Sequence, residues 1–118
     1  MRSDADRLND ILEATAKIKE RVPDSIDAFL GDEVIQVWAI HHLQVIGEAA
    51  RGVSQSLKER HPDVPWPEIV ALRNILEREY LGLNLRQVWT MIQKDLPKLE
   101  AQVLRIRSRI APNSASGL

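Results

Sequence analysis

With 118 residues, of which 44% are hydrophobic and 28% charged, the chain has the composition of a single ordinary globular domain. It contains no cysteine, which excludes disulfides and thiolate metal sites and fits a reducing cytoplasm. A formal net charge of −1 does not favour electrostatic binding along a long nucleic acid, although it leaves room for a small local RNA site. The start, "MRSDADRLND", is charged where a signal peptide would be apolar, so we expect neither export nor membrane association.

The first half of the chain predicts two long amphipathic helices. Over residues 4–22, apolar side chains recur at spacings of three and four, and Pro23 ends the pattern. A second helix is predicted over 33–53, where the more apolar composition indicates a central position. "SQSLKERH" is compatible with a short helix, and the prolines of "HPDVPWP" then break the pattern.

The second half predicts two more helices. One covers 67–81, with Pro67 in its first turn and Gly82 just beyond its end. Asn84 is predicted to cap the last helix, which we expect to be interrupted or kinked near Pro97.

No stretch of useful length shows the alternation of a β-strand, so the predicted fold is all-α. We expect an up-down bundle of four to five helices, formed by residues 1–110 as one domain. Residues 111–118, "APNSASGL", are expected to form a flexible tail.

The stretch "LRNILEREYLG" crowds polar residues into the predicted fourth helix. At 100° per residue, five of these side chains share one helix face. They are Arg73, Asn74, Glu77, Arg78 and Tyr80. Periodicity alone is explained by a solvated strip with ion pairs at helical spacing.

The same stretch resembles the signature of the HepT-like toxins of the HEPN superfamily: Arg, Asn, three residues, His, one residue, Tyr. Arg73, Asn74 and Tyr80 match it, whereas Arg78 occupies the His position. The similarity covers about residues 4–107, because four further segments follow the family in the same order. They are "DRLNDILEATAKI", "VIGEAA", "ERHPDVPWPEIVALRN" and "VWTMIQKDLPKLEAQV".

This resemblance implies a HEPN-like homodimer that cleaves RNA without a metal or cofactor, transfer RNA being a plausible substrate, in a cleft where two motif helices meet. Arg73 would bind or polarise the scissile phosphate, and Asn74 would position it. Arg78 can still bind phosphate, but its guanidinium stays protonated and cannot shuttle a proton. Since general acid–base catalysis contributes roughly 10²- to 10⁴-fold, we expect cleavage to be weakened by about that factor or lost.

The resemblance also implies a partner. Family members belong to type VII toxin–antitoxin systems, in which an MntA-like nucleotidyltransferase antitoxin transfers AMP to the motif tyrosine, here Tyr80. The added charge and nucleoside would block the cleft. A second function stays open, namely a non-catalytic helical dimer that binds RNA, a nucleotide or the nucleotidyltransferase without cutting.

Three further residues are candidates for supporting the cleft. Glu48 is a lone carboxylate in an apolar helix, which should need a partner such as Arg73 or a helix terminus, and we expect a buried or dimer-cleft ion pair. Arg51 either lines the RNA groove or is an ordinary surface arginine, and Glu77 belongs to the polar strip.

The remaining polar and aromatic residues favour structural roles. His41 and His42 lack carboxylates at metal-ligand spacing, so no metal site is expected, and His61 is expected to shape a turn. The three tryptophans have apolar neighbours and are expected to pack rather than to stack on bases. The arginine-rich "LRIRSRI" is interpreted as a solvated helix face.

Overall fold

The computed structural model describes residues 2–74 and 84–116, with side chains up to residue 110, and all regular structure in this part of the chain is helical. The elements are α1 (Asp4–Arg21), α2 (Ile26–Leu30), α3 (Glu33–Arg51), α4 (Gln55–Arg60), α5 (Trp66–Ala71), a 3₁₀ turn (Leu72–Asn74) and α6 (Leu85–Ser116). The all-α prediction is therefore confirmed. No helix in these ranges combines the length and apolarity needed to cross a membrane.

Short polar residues start the three long helices. Ser3 and Asp6 form a capping box at α1, in which each side chain accepts a hydrogen bond from the other's backbone N–H, at 3.2 and 3.1 Å. The Asp32 carboxylate accepts from an N–H of α3 at 3.1 Å. Asn84 Oδ1 accepts from two N–H groups of α6, at 3.1 and 3.2 Å, which confirms it as the predicted cap.

Helix α1 runs antiparallel to α3. Near the end of α1, the carbonyl of Lys17 accepts a hydrogen bond from the Trp38 indole in the first half of α3, at 3.0 Å. At the start of α1, the Asp4 carboxylate accepts from the backbone N–H and the hydroxyl of Ser54, just after α3, at 2.8 and 2.6 Å. These contacts at opposite ends set the direction of the pair.

Helix α6 also runs antiparallel to α1. Lys19 near the end of α1 pairs with Glu100 at 2.9 Å, and Asn9 near its start accepts a hydrogen bond from Arg107, about two helix turns further along α6. Fully buried apolar side chains fill the space between α1, α3 and α6. With Phe29 of α2 and Leu57 of α4, the largest are Leu8, Ile11, Ile18, Leu43, Ile46 and Val103. The next residue, Leu104, is 51% exposed, because it projects 100° away from the buried Val103.

Two predictions about helix continuity are wrong. The helix expected over 67–81 leaves α-geometry at Leu72, where the chain tightens into the 3₁₀ turn and packs against α3. Its remainder, 75–81, lies outside the described residues. Helix α6 continues through Pro97 as one element, so the expected interruption is wrong, while the alternative of a kink stays a prediction. The missing N–H removes one hydrogen bond, and the nearby Leu96 and Leu99 remain buried.

The indole N–H of each tryptophan donates a hydrogen bond to a backbone carbonyl of another segment of the chain. The Trp66 indole donates to the carbonyl of His61 at 3.0 Å, within the turn that precedes α5. The Trp89 indole donates to the carbonyl of Pro23 at 3.1 Å, just after α1. With the Trp38 contact to Lys17, each N–H group is satisfied by a backbone oxygen.

Candidate functional site

Four residues of α3 form one stripe that faces the 3₁₀ turn. They are Gln44, Gly47, Glu48 and Arg51, at the three- and four-residue spacing of a single helix face. The turn carries Arg73 and Asn74, the first two residues of the predicted motif. The contact between this stripe and the turn, which we call the α3–turn site, is the candidate functional site.

Gly47 lets the two backbones approach closely. A Cβ atom at this position would lie 2.3 Å from the backbone nitrogen of Arg73 and 2.9 Å from the carbonyl carbon of Leu72, closer than real Cβ contacts allow. Gln44 adds a long hydrogen bond, with its Nε2 donating to the carbonyl of Arg73 at 3.4 Å. The main chain of Arg73 is therefore held by α3, which also explains why α-geometry ends here.

Glu48 divides its carboxylate between two arginines. Its Oε2 lies 3.1 Å from Nε of Arg73, while its Oε1 accepts hydrogen bonds from Nη2 and Nε of Arg51 at 3.0 and 3.3 Å. The predicted pairing of Glu48 with Arg73 is confirmed. Within one copy of the chain the Glu48 side chain is 51% exposed, so burial in the monomer is wrong, while the dimer-cleft alternative stays a prediction.

Two guanidinium groups and one carboxylate give these described side chains a net positive charge. The hydrogen bonds from Arg51, and then the charges of Arg51 and Arg73, lower the pKa of Glu48, against an opposing effect of burial. Glu48 is therefore ionised at neutral pH and orients both arginines. Because a guanidinium carries five N–H donors, Arg73 keeps the capacity to bind a phosphate while paired.

The structure brings together Arg73, Glu48 and Arg51, and it places Asn74 beside Arg73 at the end of the 3₁₀ turn. The other predicted site residues, Glu77, Arg78 and Tyr80, lie outside the described residues. Gln44 and Gly47 were not predicted to belong to the site. Their three- and four-residue spacing from Glu48 and Arg51 places them on the same helix face. This spacing indicates a site only once the 3₁₀ turn is known to pack on that face.

Comparison with known proteins assigns the chain to a family. The family model described as "Ribonuclease HepT-like" matches residues 11–106, which include both α3 and the 3₁₀ turn. The chain belongs to this family. No solved structure matches it significantly.

Three relatives illustrate the match. "Probable ribonuclease HepT" of Thermococcus cleftensis is 34% identical over 107 residues, covering 90% of this chain and 97% of that protein. "Putative RNase MJ1380" of Methanocaldococcus jannaschii is 36% identical over 97 residues, covering 81% and 89%. The same organism's "Gamma-glutamylcyclotransferase and putative RNase MJ0434" is 34% identical over 107 residues, covering 90% of this chain but 48% of that protein. This HepT-like chain thus spans about half of the last relative and most of the other two.

Gly47→Ala should destabilise the protein. Alanine favours a helix interior by about 1 kcal/mol over glycine, but the new methyl group would meet backbone atoms that cannot rotate away. Overpacking costs about 1–3 kcal/mol, and a 2.3 Å contact with backbone belongs at the upper end of this range, so we expect a net fall of about 1–2 kcal/mol in the free energy of unfolding measured in urea. Gly31→Ala is the matched control, because its nearest neighbour would lie at an ordinary 3.4 Å and the change should stay within about 0.5 kcal/mol. Unchanged or increased stability of Gly47→Ala would contradict the close contact.

Glu48→Gln should lower stability at neutral pH and not in acid. Because the folded-state pKa of Glu48 is lowered, its ionisation stabilises the fold above the unfolded pKa of about 4.3, and this contribution is lost as pH falls through the folded value. For a half-exposed pair we expect at most about 1 kcal/mol at pH 7, disappearing well below pH 4. Urea unfolding of both proteins across this range tests it, with Glu59→Gln, which forms no ion pair with a described residue, as the control. A difference that grows in acid would refute this assignment.

Proposed function

We propose that this chain is the toxin of a type VII HepT/MntA toxin–antitoxin system, a metal-independent endoribonuclease that acts on RNA in the cytoplasm. The observation that carries the proposal is the fixed position of Arg73, the first motif residue, in a chain of the HepT-like family. Transfer RNA is the first substrate to examine, on the strength of the family resemblance.

The chemistry needs little from the protein, because the RNA 2′-hydroxyl is itself the nucleophile. Arg73 would stabilise the negative charge that develops on the phosphorane, and Asn74 would orient the phosphate by hydrogen bonds. Glu48 supports this role by holding Arg73 without neutralising both arginines of the site. Arg78 would add phosphate binding but no proton transfer, so cleavage by this chain would be weak or absent.

A homodimer would complete the cleft, and one face of α3 supports this part of the proposal. Val34 and Val37 are large apolar residues with 76% and 45% exposure. Along the helix, His41, Gln44 and Glu48 fall within the same arc of about 100°. A second copy packed on this face would cover both valines and bring a second α3–turn site close to the first.

AMPylation of Tyr80 by an MntA-like nucleotidyltransferase would silence the toxin. Incubation with such a partner and ATP should increase the protein's mass by one or more AMP groups, as measured by intact-protein mass spectrometry. Tyr80→Phe removes the acceptor hydroxyl and should show no increase. Modification of the Phe form to the same extent would exclude Tyr80 as the acceptor.

Restoring the motif histidine should restore cleavage. With EDTA present throughout, the Arg78→His protein should cut transfer RNA or messenger RNA, by a factor of roughly 10²–10⁴ faster than the chain with Arg78. In the same background, Arg73→Ala should reduce the cleavage rate by about 10²–10³ because a charge-stabilising donor is lost. Gel analysis of end-labelled RNA measures both effects.

Matched variants separate this activity from contamination and from indirect effects. Arg78→Gln should stay silent, and Arg86→Ala, on an exposed residue of α6, should leave the Arg78→His activity unchanged. Adding Val34→Asp and Val37→Asp should give a monomer by sedimentation and abolish cleavage. If the Arg78→His protein cuts no RNA, the ribonuclease proposal fails and the non-catalytic helical module takes its place.

A further inference from the structure

A second cluster of basic side chains lies where the end of α4 meets α6, away from the α3–turn site. It lines a recess of about 230 Å³, which we call the basic recess. Its lining residues are Arg60, His61, Asp63, Gln102, Arg105, Ile106 and Arg109. Arg60 and Arg105 are far apart in the sequence, so only the fold brings these charges together.

The walls of the recess are held by several contacts. The Asp4 carboxylate, through its hydrogen bonds to Ser54, ties the start of α4 to α1. On the other wall, Gln102 is only 6% exposed and donates from Nε2 to the carbonyl of Asp63 at 3.2 Å. The Trp66 indole fixes the carbonyl of His61. The basic side chains therefore project from a braced framework.

The charge of the recess is poorly compensated. Arg105 and Arg109 are four residues apart on one face of α6, where like charges repel each other. Neither they nor Arg60 forms an ion pair with a described acidic residue, and the lone lining carboxylate, that of Asp63, has Gln102 Nε2 at 3.5 Å. Arg107, from the same basic segment, contrasts with them because it bonds to Asn9 of α1.

We propose that the basic recess binds phosphodiester groups of an RNA strand and so forms a second anchor for the substrate. Three guanidinium groups around one concavity suit the oxygens of a phosphate, and a bound phosphate would relieve the repulsion between Arg105 and Arg109. This inference rests on the proposed function for the identity of the strand. It differs from the simple solvated face that the sequence suggested for "LRIRSRI".

The two sites are close enough for one RNA to reach both. Four residues of chain lead from Arg51 to Gln55, and α4 then leads from Gln55 to Arg60. Even with the first part fully extended, the Cα atoms of Arg51 and Arg60 lie at most about 22 Å apart. A stacked strand advances about 3.4 Å per nucleotide, so roughly six or seven nucleotides bridge this distance. Affinity should therefore rise sharply once an RNA is longer than that, because the second contact becomes intramolecular.

Binding of uncleavable RNA tests the inference independently of catalysis. Fluorescence anisotropy would compare fully 2′-O-methylated RNAs of 4 and 12 nucleotides on the intact chain, on Arg105→Gln/Arg109→Gln and on the control Arg86→Gln/Lys94→Gln. The control removes the same number of charges from exposed positions of the same helix. We expect the recess variant alone to lose the affinity gain of the longer RNA, at least about 10-fold. The slope of log affinity against log salt should fall by about 0.7 for each lost phosphate contact.

Arg60→Gln, on the α4 wall, should reproduce part of the loss, and thermal unfolding should show that all variants remain folded.

Equal affinities for the recess variant and its control, or no RNA binding by the intact chain, would overturn the inference. The same proteins would also be titrated with inorganic pyrophosphate. If the recess variant lost pyrophosphate binding but kept its RNA binding, the recess would be a small-anion site and the inference would fail. Loss of RNA binding in the recess variant, with no cleavage by Arg78→His, would support the recess and refute the ribonuclease function. Cleavage by Arg78→His, with RNA binding unchanged in the recess variant, would support the ribonuclease function and refute the recess.

Discussion

The candidate site depends on one close contact, between the backbone of α3 at Gly47 and the 3₁₀ turn at Arg73. Without a side chain at this point, the turn approaches α3 closely enough for Gln44 and Glu48 to reach the main chain and side chain of Arg73. Protein interiors are dense, so a small displacement here would be transmitted to the guanidinium. The position of Arg73, the first residue of the motif, therefore depends on Gly47, which has no side chain.

The α3–turn site and the basic recess differ in whether a carboxylate pairs with their arginines. At the α3–turn site, Glu48 orients Arg51 and Arg73 at the cost of part of their positive potential. In the basic recess, Arg60, Arg105 and Arg109 have no such carboxylate among the described residues. In the proposed function the α3–turn site needs oriented arginines to stabilise the reacting phosphate, whereas the proposed anchor in the basic recess needs only positive charge to bind a strand. This division suits a protein whose overall charge is close to zero.

Local signals in the sequence predicted the long helices, the cap at Asn84 and the end of α1 before Pro23, because periodic burial, capping and proline act over a few residues. The switch from α to 3₁₀ geometry at Leu72 was not predictable in this way, since packing against α3 decides it. Continuity through Pro97 likewise depends on burial of its neighbours. The family resemblance pointed to Arg73 and Asn74, but Gln44, Gly47 and the basic recess required tertiary contacts that no single segment contains.

The hydrogen bonds of the indoles have a consequence for spectroscopy. Trp38 and Trp89 are tethered near the end of α1, while Trp66 is bonded to His61, a residue that lines the basic recess. The indoles thus sample two separate regions, and none of them contacts Arg73 by a hydrogen bond. A change in intrinsic fluorescence on adding RNA would therefore come mainly from Trp66, beside the end of α4. Trp38 and Trp89 would serve as an internal reference within the same molecule.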